Sequence, residues 1–214
     1  MWYAAENVSR LPRGTLKNSK IMKKDIILSG VGGQGILSIA TVIGWAAIKN
    51  NLYLKQAEVH GMSQRGGDVQ SNLRLSSSPI FSDLIPKGEC EIIISMEPME
   101  ALRYLPYLKK GGWIITNSAP FVNIPAYPEV SAIDSDLNRE ANVISFDSDQ
   151  IAKDCGAPRS SNMVLLGAAA RYIEILDVEA LKEGICNVFA RKGEKIVEDN
   201  IKAFEAGYAI AEKK

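Results

Sequence analysis

The stretch Asp25-Ile26-Ile27-Leu28-Ser29-Gly30-Val31-Gly32-Gly33-Gln34-Gly35-Ile36-Leu37 decides the fold. A short apolar run, Ile26-Ile27-Leu28, reads as a strand. Ile36, Leu37, Ile39, Ala40, Ile43, Ala46 and Ala47 then recur at helical spacing. Between them Gly30, Gly32 and Gly35 match the G-x-G-x-x-G pattern. One glycine makes the tight turn, the next lets a ligand approach the backbone, and the third lets helix and strand pack closely. Such a turn leaves N–H groups unpaired at a helix start, where the dipole favours a phosphate or a partner's carboxylate. A strand-to-helix turn whose glycines serve only sterics has the same spacing. A dinucleotide site further needs an acidic residue about 20 positions on, closing the next strand. Glu58 is near that place.

Outward from this stretch the pattern departs from a standard dinucleotide fold. Residues 53–59 read as a second strand, and the glycine-rich polar loop His60-Gly61-Met62-Ser63-Gln64-Arg65-Gly66-Gly67-Asp68 follows. Val69, Ser71, Leu73 and Leu75 then alternate with polar residues, a period of two that predicts a half-buried strand. Two strands joined by a loop, antiparallel or nearly so, stand where a crossover helix would be expected. Ile92-Ile93-Ile94 lies in a continuous apolar run that suits a buried central strand. Glu97-Pro98 opens a helix predicted to reach Lys109, with Pro106 kinking its last turn and Gly111-Gly112 ending it. A strand at residues 113–116, a proline-rich loop at 117–128, a short polar helix at 131–140 and a strand at 142–146 come next. Asp147 or Ser148 caps a helix through Lys153. A polar loop at 156–162 precedes an apolar helix, 163–175, rich in small residues. Asp177 caps a helix to about Arg191, and Val197, Ile201, Phe204 and Tyr208 form the apolar stripe of a last one.

A chain of 214 residues suits one α/β domain, or at most two small ones. Its 25 basic and 25 acidic residues give no electrostatic argument for nucleic acid or a membrane surface. No apolar run has bilayer length. The three cysteines, Cys90, Cys155 and Cys186, form no C-x-x-C, so spacing offers neither a zinc site nor an iron–sulfur cluster. Isolated thiols suit a reducing, cytoplasmic setting. Residues 1–21 carry no apolar periodicity and no signal-peptide core. They read as a disordered or artificial extension, with Met22 as the functional start. The other reading is an arm that docks on a partner through Trp2 and Tyr3.

Candidate chemistry is sparse. His60 is the one histidine, placed as a loop residue holding a turn or as a general base. Arg65 beside Gly66-Gly67 suits a phosphate or carboxylate, or a salt bridge fixing its own loop. Glu58 and Asp68 flank that loop and are expected to pair with Arg65 or Arg74. Arg159, Ser160, Ser161 and Asn162 stand at a helix start, where they cap the helix or receive an anion.

The blocks Gly30-Val31-Gly32-Gly33-Gln34-Gly35, Glu58 to Gly67 with the strand to Leu75, Gly156 to Met163, and Asn200 to Tyr208, in this order, resemble the gamma-type domain of 2-oxoacid:ferredoxin oxidoreductases. The branch acting on indolepyruvate and other aryl pyruvates is the most similar. The resemblance spans residues 22 to about 211. It implies one three-layer α/β/α domain over 22–214, with a Rossmann-like mixed sheet and a helical C-terminal part. It also implies a subunit inactive alone and without a catalytic residue or metal of its own. Thiamine diphosphate and iron–sulfur clusters are expected on a larger partner subunit, coenzyme A as co-substrate and ferredoxin as acceptor reached through the complex. The residues so implicated in coenzyme A binding or in the interface are Gly30, Gly32, Gly33, Gln34, Gly35, His60, Gln64, Arg65, Gly66, Gly67, Arg159, Ser160 and Asn162. A free-standing dinucleotide-binding module, with Glu58 on a ribose, is the alternative.

Overall fold

Strand β1, Lys23–Val31, is buried on both faces. Ile26 and Leu28 point into one layer and Ile27 into the other, and all three are sealed from solvent. A strand covered on both sides needs the unbroken apolar run that the sequence shows. The structure is a computed structural model and describes residues 21–61, 67–122, 124–139 and 142–211.

Helix α1, Ile36–Lys49, follows the glycine turn, and strands β2, Tyr53–His60, and β3, Asp68–Ser76, come next. Then come β4, Cys90–Ser95; α2, Pro98–Arg103; β5, Leu108–Asn117; α3, Val130–Leu137; and β6, Val143–Phe146. The C-terminal part is helical: α4, Ser148–Asp154; α5, Ser161–Ile173; α6, Val178–Phe189; and α7, Glu194–Ala211. The six strands form one mixed sheet in the order β2-β3-β1-β4-β5-β6. β1, β4, β5 and β6 run parallel, whereas β3 is antiparallel to both β1 and β2. The larger core lies between the sheet and α1, α5, α6 and α7; a smaller one lies under α2 and α3. This is the three-layer arrangement the sequence led to expect, with the antiparallel β2–β3 pair in place of a crossover helix.

Asp147 and Asp177 cap α4 and α6, each accepting a backbone N–H from three residues on. The helix opened by Glu97-Pro98 departs from expectation. It ends at Arg103, a single 3₁₀ turn over Leu105–Tyr107 follows, and β5 begins at Leu108. Pro106 sits in that 3₁₀ turn instead of kinking a long helix. Gly111 and Gly112 fall within β5, at a bulge where the register shifts between Cys90 and Ile92.

Candidate functional site

The turn between β1 and α1 is held from three sides. Gly32 N–H donates to the Gly67 carbonyl at 2.9 Å, continuing the β1–β3 ladder beyond its last pair, Val31 with Asp68. The Gln34 side chain folds back: its Oε1 accepts from Val31 N–H at 2.7 Å, and its Nε2 donates to the Met96 carbonyl at 3.3 Å. That second bond spans the boundary between β1 and β4. A side chain at Gly30 would collide with Gln34, Ile36 and Met96, so this glycine is required for close approach.

Gly35 is the N-cap of α1. It adopts the left-handed conformation, no side chain caps the helix, and the first turn holds no acidic residue. The start of α5 matches it: Ser160 is the N-cap without a side-chain capping bond, and again no acid follows. Of the four residues expected to cap this helix or receive an anion, Ser160 takes the N-cap position. The Ser160 carbonyl takes the first helical bonds, from Met163 and Val164. Asn162 ties the two helix starts together. Its Nδ2 donates to the Gly35 carbonyl at 3.1 Å, and its Oδ1 accepts from Met163 N–H at 3.0 Å.

Between these two starts opens a cleft of about 570 Å³. Gly33, Gly35 and Ser38 line one wall, and Arg159, Ser160 and Asn162 another. Lys192, Ile196 and Asn200 close it from the C-terminal helices. Arg159 and Lys192 are exposed at the rim, and the Lys192 ammonium stands 5.2 Å from the centre of the Phe189 ring. The one acidic lining residue, Asp199, is paired with Lys195 at 2.6 Å. Two helix dipoles, backbone amides and two cations converge, which is the chemistry of an anion site.

Of the residues singled out from the sequence, Gly33, Gln34, Gly35, Arg159, Ser160 and Asn162 come together here. Gly30 and Gly32 shape the turn from behind. Gly67 touches it only through its carbonyl, and Gln64, Arg65 and Gly66 lie outside the described residues, as does the His60 side chain. Ser38, Lys192 and Asn200 were not foreseen; the Arg191-Lys192-Gly193 run was the one local hint. The expected partner of Glu58 or Asp68 is also corrected for Arg74, whose guanidinium clasps Asp25 instead.

The ribose role for Glu58 fails on topology. β3 lies between β2 and β1, so Glu58 sits on an exposed edge strand two places from the turn. Among the described residues, no group of three or more His, Cys, Asp or Glu could hold a metal ion. Cys90 is buried, with its thiol pushed up to about 12 by desolvation, and Cys186 is exposed. The residues do not fit an iron–sulfur cluster. No helix among the described residues is long and apolar enough to cross a membrane.

Fold and cleft together define an α/β domain of the Rossmann-like kind, rebuilt with an antiparallel strand pair and with a cleft at the start of α1. The chain belongs to the pyruvate ferredoxin/flavodoxin oxidoreductase family, whose pattern matches residues 25–210. It is 37% identical over 196 residues to the indolepyruvate oxidoreductase subunit IorB of Pyrococcus horikoshii, covering 87% of this chain and 95% of that subunit. Its relatives are subunits of 2-oxoacid oxidoreductases. Among solved structures it is similar to the keto/oxoacid ferredoxin oxidoreductase gamma subunit of Geobacter sulfurreducens, with a TM-score of 0.66, 24% identity, and coverage of 90% of this chain and 98% of that one. It is also similar to the 2-oxoglutarate:ferredoxin oxidoreductase of Magnetococcus marinus, solved with 2-oxoglutarate, coenzyme A and succinyl-CoA bound (TM-score 0.69, 23% identity). That match covers 90% of this chain but 31% of the longer one. At these identities the two structures share the fold.

Proposed function

We propose that residues 22–214 form the gamma-type small subunit of a heteromeric 2-oxoacid:ferredoxin oxidoreductase that acts on indolepyruvate or a related aryl pyruvate. In this reading the chain is inactive alone. Thiamine diphosphate and the iron–sulfur clusters reside on the larger subunit and supply decarboxylation and electron transfer to ferredoxin; the product is an aryl-acetyl-CoA. The 37% identity to an indolepyruvate oxidoreductase subunit supports the substrate class.

The cleft is proposed to receive a phosphate of coenzyme A. The observation that carries this is the meeting of two helix starts, neither capped by the side chain of its N-cap residue, with Arg159 and Lys192 at the same opening. A volume of about 570 Å³ is in the range of small-molecule sites. In the holoenzyme reconstituted with its larger subunit, Arg159→Ala and Lys192→Ala are each expected to raise the KM for coenzyme A about tenfold, the worth of one charge-assisted contact. The kcat and the KM for the 2-oxo acid should stay near wild type. Titration calorimetry of the complex with coenzyme A gives a readout independent of turnover. Unchanged affinity in both variants would remove the cleft from coenzyme A binding. A free-standing dinucleotide module is not favoured, given the position of Glu58.

A further inference from the structure

Glu97 lies two residues after β4 and caps α2, in the layer away from the cleft. Its side chain is fully buried, and both oxygens are committed. Oε2 accepts from Glu100 N–H at 2.8 Å. Oε1 accepts from Phe121 N–H at 3.3 Å and from the Tyr127 hydroxyl. A single carboxylate oxygen thus clasps both ends of the segment between Phe121 and Tyr127. Burial, and then the bond to Glu97, push the Tyr127 hydroxyl upward, so it remains a donor. Burying a carboxyl group among neutral donors is costly, and here the bonds it makes tie Phe121 and Tyr127 to the start of α2.

The segment so held is unusual for a loop. No charged residue occurs between Ser118 and Pro128, and Pro120, Pro125 and Pro128 stiffen it. Its apolar side chains face outward: Phe121 is 45% exposed, Val122 68% and Ile124 42%. Depletion of charge around projecting apolar groups is the composition of an interface centre.

We propose that Phe121, Val122 and Ile124 form an apolar anchor that seats this chain in a crevice of the larger oxidoreductase subunit, with Glu97 as the clasp that presents it. The inference rests on the subunit reading above. A projecting loop enters a partner's crevice and does not itself enclose a small ligand. The match covers 31% of the longer Magnetococcus marinus chain but 95% of the Pyrococcus subunit. A subunit of that size joins its larger partner through a surface of its own fold.

The test is surface plasmon resonance of the full chain against its purified larger subunit, with the Val122→Asp/Ile124→Asp double variant. Both side chains are exposed, so circular dichroism and Tm should match wild type. Affinity is expected to fall at least tenfold. Phe81→Asp, an exposed apolar site beyond the opposite end of the strands, serves as control and should bind as wild type. Glu97→Gln keeps the size of the clasp but turns one of its two accepting oxygens into a donor NH2, and should lose a smaller factor. Binding of the double variant at wild-type affinity would overturn the anchor. So would an isolated wild-type chain that self-associates through this loop while the double variant, monomeric, still joins the larger subunit. A wild-type chain that does not bind the larger subunit at all overturns the subunit reading and the anchor with it.

Discussion

The side-chain amide of Asn162 donates to the carbonyl oxygen of Gly35 at 3.1 Å, joining the start of α5 to the start of α1 across 127 positions of sequence. The two residues also exclude each other's growth. A Cβ at Gly35 would lie 2.7 Å from that same amide nitrogen, and Gly35 has φ of 82°, which side chains rarely adopt. Asn162→Ala should lower stability by about 1 kcal/mol, the worth of one hydrogen bond. Gly35→Ala should cost about 1–3 kcal/mol from backbone strain and the clash. Because removing Asn162 clears the clash, the double variant should lose less than the sum. Denaturant midpoints of all four proteins measure the coupling; strict additivity would mean that the contact does not organise the turn.

Helices α5 and α7 pack backbone to backbone. A Cβ on Gly167 would meet the Phe204 carbonyl oxygen at 1.9 Å, and one on Gly207 would meet the Val164 carbonyl at 1.9 Å. Neither obstacle is the end of a flexible side chain, so the helices themselves must separate. Gly167→Ala and Gly207→Ala should each cost about 3 kcal/mol or more, read as a fall in Tm. The separation should also weaken the coenzyme A binding proposed for the cleft, since α5 begins and α7 supplies Asn200 there. Gly44→Ala is the control. It lies in helix α1 against one Leu54 methyl at 3.2 Å, and helix propensity should offset the contact to leave stability near wild type.

How much of this could be read from the sequence depended on whether the signal was local. The run Ile26-Ile27-Leu28 and the glycine spacing announced β1, its turn and α1 without help from the rest of the chain. The alternation from Val69 to Leu75 was enough to place an antiparallel strand. The helix predicted to reach Lys109 failed because Leu102, Leu105 and Leu108 recur at helical spacing. That period is met instead by an α-helix, a 3₁₀ turn and the first residue of a strand in succession. Regular β4–β5 pairing resumes at Trp113, where the sequence had placed the strand. The cleft was legible only in halves. Its glycine wall and its Arg159–Asn162 wall carry recognisable turn chemistry, but Lys192, in the 3₁₀ turn before α7, and Asn200, on α7, arrive by tertiary packing of the C-terminal helices, for which no spacing rule exists.

Asp25 is fully buried at the foot of the sheet and takes two bonds from Arg74, Nε to Oδ1 at 2.9 Å and Nη2 to Oδ2 at 3.1 Å, with Lys23 at 2.7 Å. The remaining Arg74 nitrogen donates to the carbonyls of Ser82 and Leu84, both at 3.0 Å. One guanidinium therefore fastens the loop after β3 to the strand before it. Asp25→Ala strands a largely buried cation and should cost about 3–5 kcal/mol. Arg74→Met should cost a similar amount and also free the loop, so limited proteolysis should cut near residues 82–84 in that variant first. In the double variant the two losses should not add, because neither charge is left alone.

Cys90 gives the fold a measurable sensitivity to base. Its thiol is buried beneath β1, lies near the Asp25 and Ile92 carbonyls, and is pushed from an ordinary value of 9.0 to about 12, first by desolvation. In the unfolded chain the same thiol releases its proton near 9, so above that pH the unfolded state binds fewer protons and stability falls as pH rises. The slope approaches about 1.4 kcal/mol per pH unit, reaching about 2 kcal/mol by pH 10.5. Tyr104 and Tyr127 are also pushed upward and add to the same limb, but they are common to wild type and variant and cancel in the comparison. Cys90→Ala should be less stable than wild type at pH 7, because it leaves a small cavity, and should lose stability more slowly above pH 9. Chemical denaturation between pH 7 and 10.5 reads the difference, and curves that stay parallel would show that the thiol does not ionise differently in the two states. Thiol alkylation of the folded chain should agree: the exposed Cys186 reacts at pH 8, and Cys90 reacts only once denaturant is added.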